Sequence, residues 1–138
     1  MGVYVRIRIR RGNRELTCIA VVNTGFRSST PDIILPVEIA RQIGLWPPPE
    51  AYIISAESLA GNVQLYFVEN AVEVEVITED KVSRRILCNA LISVNEREVL
   101  ISDSLAEELG IQILFPRRGI WRFADDPPNV LRKSVKSD

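Results

Sequence analysis

The sequence predicts a mainly β domain with two short helices, closed or sandwiched. Three observations point there. Short apolar runs recur with a period of two, the signature of half-buried strands. Turn residues such as Arg11-Gly12-Asn13 and Arg117-Arg118-Gly119 separate them. Helical spacing occurs in only two places, after Pro36 and around Ser104. Many strands with few helices favour closing a sheet on itself or packing two sheets together.

The elements follow in chain order. Val3, Val5, Ile7 and Ile9 alternate with Tyr4, Arg6, Arg8 and Arg10, and Glu15–Val22 completes a hairpin. Ile33–Leu35 is a short strand. Pro36 is well placed as the first residue of a helix carrying Val37, Ile39, Ala40 and Ile43, which Gly44 stops. Trp46-Pro47-Pro48-Pro49 is a stiff connector. Tyr52–Ile54 and Gln64–Val68 read as two strands joined by a hairpin tip at Ala60-Gly61-Asn62. Ala71–Ile77 and Arg85–Val94 are further strands. Val99–Ile101 is buried, and Ser104 with Glu107 fits a capping box for a short second helix ending at Gly110. Ile111–Phe115 and Ile120–Phe123 close the domain, 1–124. The Pro-rich polar stretch 125–138 reads as a loose, disordered tail.

The 138 residues suffice for one domain, with 46% hydrophobic and 25% charged residues. A net charge of −1 gives no electrostatic bias toward nucleic acid. The early basic cluster (Arg6, Arg8, Arg10, Arg11, Arg14) reads as a solvated strand face, and Arg132, Lys133 and Lys136 as part of the polar tail. No apolar run approaches the ~20 residues of a membrane span. The alternating N-terminus is unlike a signal peptide, so a cytoplasmic location and no membrane partner are expected. There is no histidine, which excludes Ser-His-Asp and Cys-His machinery and His-ligated zinc. Cys18 and Cys88 fit no metal spacing and read as buried thiols. No metal and no cofactor are expected.

Two segments echo each other. Ile34–Leu45 (ILPVEIARQIGL) and Leu100–Ile111 (LISDSLAEELGI) share apolar positions, and Ala40 and Gly44 match Ala106 and Gly110. This suggests a structural repeat inside one lobe.

An apolar strand running into Asn23-Thr24-Gly25-Phe26, then Leu35-Pro36 and Ile43-Gly44-Leu45, resembles the retropepsin-like aspartic proteases. Their small prokaryotic members look most similar. The resemblance spans roughly residues 2 to 123. It implies a single-lobe acid-protease β-barrel, a homodimer, and a peptide or protein substrate. It makes Asn23, Thr24 and Gly25 the catalytic-site positions and Ala60, Gly61 and Asn62 part of a substrate-covering flap. Thr24 would tie the two active-site loops together across the dimer. The family keeps aspartate where this chain has Asn23, and usually glycine where it has Ser102.

In the family, two carboxylates share one proton, and the ionised one takes a proton from water. Asparagine copies the shape but accepts no proton at useful pH. General acid–base catalysis is worth about 10²–10⁴-fold, so the chain as given is expected not to hydrolyse peptides. Asp32 and Asp103 are expected to cap or face solvent, while Glu57 could reach the cleft. Three readings stay open. One is an inactivated variant of a true peptidase, which an aspartate codon in the natural gene would reveal. Another is a natural peptide-binding pseudo-protease. The last is a structural or adaptor domain without a cleft function.

Overall fold

A computed structural model describes residues 2–23, 25–58 and 61–136, with Asn23 and 56–58 described for the backbone alone. The architecture is mainly β with two short helices, as expected. In chain order the elements are β1 (Gly2–Arg11), β2 (Arg14–Asn23), β3 (Asp32–Pro36), α1 (Val37–Gln42), β4 (Tyr52–Ser58) and β5 (Gly61–Val76). They continue with β6 (Ile86–Ser93), β7 (Val99–Ile101), α2 (Asp103–Glu108), β8 (Ile111–Phe115), β9 (Ile120–Phe123) and β10 (Arg132–Lys133).

The large sheet runs β1-β2-β7-β3-β6-β5-β4, and β1 also pairs with β5. Six strands therefore form a closed ring, with β4 attached outside it. Alternation explains the core. Val3, Val5, Ile7 and Ile9 are at most 1% exposed, and Ala20, Ile33, Leu35, Val74, Val76, Ile92 and Ile101 join them inside. Exchanging β1 with β5, β2 with β6 and β3 with β7 returns the same ring. The parallel β2–β7 pair (Val22 opposite Ile101) maps onto the parallel β3–β6 pair (Leu35 opposite Ile92). The two echo segments are β3–α1 and β7–α2, the repeated halves of this arrangement.

Local details depart from the sequence reading. Gln64–Val68 and Ala71–Ile77 are not separate strands; all but Ile77 belong to β5, joined through an irregularity between Val68 and Val72. Asn70 adopts φ 46° there, a left-handed conformation asparagine tolerates, and its N–H donates to Asn89 Oδ1 at 2.8 Å. The second helix starts one residue after Ser102, not at Ser104. Ser102 Oγ accepts from Leu105 N at 3.1 Å, so Ser102 is the N-cap and no Ser104–Glu107 box forms. Pro36 is likewise the N-cap of α1 rather than its first turn. The stiff connector is pinned at Trp46, whose ring meets Tyr66 edge-on at 5.4 Å.

The expected loose tail is a correction. Residues 125–136 fold back on the domain. β10 pairs with β9, Val135 N donates to Tyr4 O, and Tyr4 N donates to Ser134 Oγ. Asp126 is buried, accepting from Phe123 N and from Arg132, whose guanidinium also lies over the Phe123 ring. Polar composition suggests a solvated tail only when its charges have no partners. Here they satisfy one another over an aromatic floor.

The basic strand face is also less free than expected. Glu75, 6% exposed, sits between Arg8 and Arg10 at 2.7 and 3.2 Å. Burial pushes its carboxyl up, but the hydrogen bonds and charges of the two arginines outweigh this and hold it below the usual range.

Candidate functional site

β2 carries the resemblance motif because its interior positions pack into the ring and its end emerges from it. Val22 is buried, and Asn23 is the last residue of the strand, opposite Gly2 of β1. Gly25 begins the following turn. Thr24 and Ala60 lie outside the described residues. Parallel pairing of β2 with β7 sets the end of β2 beside the β7–α2 junction.

That junction clasps the loop after the triplet. Asp103 N donates to Phe26 O at 2.9 Å, and Ser28 N donates to Asp103 Oδ1 at 2.9 Å. Asp103 thus behaves as expected, at the start of a helix. Asp32 does not. It is 7% exposed and accepts from Thr30 Oγ1 and Asn89 Nδ2, both at 2.9 Å. Its own N–H donates to Ser102 Oγ, and Ser102 N donates back to Asp32 O. Asp32 therefore neither caps nor faces solvent. It is the centre of a buried polar knot tying β3 to β6 and β7, and buried polar groups need such partners.

Sequence reasoning missed Asn89 and Ser93. Asn89 interrupts the apolar run ILCNALIS, and a polar residue at an inward strand position signals a buried hydrogen-bond network. Ser93 follows Ile92 as Asn23 follows Val22, so it occupies the place corresponding to Asn23 in the other half of the ring. It is buried, and its Oγ accepts from Asn95 N at 3.2 Å.

Gly61 and Asn62 open β5 at the end of the β4–β5 hairpin, where Ser58 pairs with Gly61 and Glu57 with Asn62. The side chain of Glu57 lies outside the described part. On β4, Tyr52 and Ile53 are 73% and 61% exposed, a large apolar display for an edge strand.

Cysteine chemistry does not supply a substitute nucleophile. Burial pushes the Cys18 thiol up to about 11. Burial, with the Asp32 charge added, pushes Cys88 up to about 12. Neither is a thiolate near neutral pH. Among the described residues no group of three or more Cys, Asp or Glu is arranged to hold a metal ion, and no helix is long and apolar enough to cross a membrane.

A cavity of about 390 Å³ adjoins the end of β2, lined by Val22, Ala106, Ile111 and Ile113 with Asp103 and Glu107. No protein-family model and no curated protein sequence matches this chain.

Proposed function

We propose that this chain is one lobe of a retropepsin-like homodimer that binds an extended peptide and, with Asn23 in place of the family's aspartate, does not cut it. One observation carries the reading. The strand ending in Asn23 runs parallel to β7, and the first residue of α2 clasps the loop that follows it. That is the order of parts the resemblance implies: strand, Asn-Thr-Gly, loop, and a second strand–helix junction beside it. The β4–β5 hairpin supplies an arm that could add strand-like hydrogen bonds to a peptide.

The chemistry follows from the side chains. A symmetric pair of Asn23 amides can orient water or a peptide carbonyl but provides no general base. With no histidine and no thiolate near neutral pH, a replacement base would have to be a carboxylate, and Asp32 is engaged by Thr30 and Asn89 while Asp103 accepts from Ser28 N.

The test is Asn23→Asp, assayed for peptide cleavage between about pH 3 and 7, where a shared-proton carboxylate pair works. We expect cleavage by the variant, blocked by a transition-state-mimicking inhibitor, and none by the chain as given. A folded, dimeric Asn23→Asp protein that neither cleaves nor binds any peptide in a library would sink the reading and leave the adaptor alternative.

A further inference from the structure

We propose that the end of the ring opposite Asn23 is a phosphate-binding pocket, in which Arg11 and Arg14 take a phosphate monoester carried on a small, partly apolar body.

The two arginines flank the β1–β2 turn. Gly12 and Asn13 form its two-residue loop, with Gly12 at φ 60°, and Arg11 pairs directly with Arg14. Alternation puts both on the inner side of the ring. Arg11 continues the row of Val3, Val5, Ile7 and Ile9, and Arg14 continues the row of Val22, Ala20, Cys18 and Leu16. Side chains opposed in such a pair stand about 5 Å apart at Cβ, where like charges repel.

The chain places no carboxylate against them. Arg8 and Arg10, on the outer side, share Glu15 and Glu75. Arg11 instead donates from Nη1 to Ala71 O at 2.9 Å. That bond fixes the guanidinium but leaves its charge unbalanced. The Arg14 guanidinium lies against Gly44, where a Cβ would stand 3.4 Å from Nη1, and its side chain makes no hydrogen bond or ion pair among the described residues.

Both side chains border a cavity of about 570 Å³ whose wall includes the apolar Ile43, Val72 and Leu87. That size suits a small organic molecule. Glu73 is the one carboxylate on the wall among the described residues. It alternates with the inward Val72 and Val74, so it stands at the outer rim, and it pairs with neither arginine. Two unbalanced guanidiniums match a phosphate monoester, which carries about −1.5 to −2 charge at pH 7 and three strong acceptor oxygens. A carboxylate would leave one positive charge over. Arg14 and Asn23 are the first and last residues of β2, about 30 Å apart along an extended strand. The pocket is therefore separate from the candidate peptide site.

The experiment is isothermal titration of the full chain at constant ionic strength with two probes, inorganic phosphate and phenyl phosphate. We expect saturable binding of both, with phenyl phosphate about tenfold tighter because its ring covers the apolar wall. Arg14→Gln and Arg11→Lys should each weaken binding about tenfold or more, since each removes a guanidinium fork. Arg6→Gln, at an exposed cation outside the pocket, should leave it unchanged. The second readout is Tm at low salt without ligand, which Arg14→Gln should keep or raise because it removes a repulsion. Equal affinity for the two probes overturns the apolar body of the ligand. No saturable binding of either probe, or binding that Arg14→Gln leaves unchanged, overturns the pocket itself. A marked drop of Tm in Arg14→Gln also overturns it, by showing that the charge already has its partner.

Discussion

Ile34 and Leu100 face each other in the antiparallel β3–β7 pair, and each occupies the first place of its own echo segment. A residue pairs with its own counterpart only where a twofold relation passes through the pair. Ile9 and Val74 do the same in the β1–β5 pair on the other side of the ring, since Ile9 pairs with Leu16 as Val74 pairs with Ile86. The two halves of the ring therefore close on each other, and features repeated in both should contribute alike.

The paired glycines test that symmetry. Gly44 and Gly110 end α1 and α2 with φ of 80° and 81°, in the left-handed region where a Cβ is strained. Gly44→Ala and Gly110→Ala are each expected to cost about 1–2 kcal/mol. Urea titration of both variants checks this, and a difference several times larger than that cost would argue against equivalent roles.

Ser102 is expected to matter more than a surface cap. Its hydroxyl accepts from Leu105 N and Asp32 N, and it is fully buried. Ser102→Ala leaves two buried donors without an acceptor, at a cost of about 2–3 kcal/mol. A loss under half a unit on that scale in chemical denaturation would contradict the role given to the knot.

Acid should loosen the C-terminal segment. The hydrogen bonds from Arg132 hold the Asp126 carboxyl well below the usual range, against the opposing effect of burial. A depressed folded value stabilises the protein above the unfolded value of about 3.9, and the contribution is lost as pH falls through the folded value. Asp126→Asn should thus lower Tm at neutral pH, with the gap to the unmodified chain shrinking below about pH 4. A gap that stays constant down to strong acid would rule out this linkage.

The thiols should react slowly until the protein opens. With Cys18 raised to about 11 and the buried Cys88 to about 12, reaction with a disulfide reagent near neutral pH is expected to be much slower in the native protein than in the unfolded chain, with the half-buried Cys18 the faster of the two. Stoichiometric labelling of the native protein within minutes would show that the packing around β2 and β6 is not as described.

Much of the fold was legible in the sequence because burial writes itself as periodicity. Val3 to Ile9 alternate because one face of β1 meets the core, and the Ile34 and Leu100 segments echo because two halves of one ring need the same strand–helix junction. The Asn-Thr-Gly triplet stood out only as a candidate site, by its place after an apolar strand. What the sequence left open depends on partners distant along the chain. Asp32 looked like a surface acid until Asn89, 57 residues away, was placed against it. Residues 125–136 looked loose until Arg132 met Asp126 and Asp80. The edges of β4 and β8 are likewise visible only once every other strand has found its neighbour. Local pattern records which face of a strand is buried; it holds no record of which polar group arrives to satisfy another, because that is decided when the ring closes.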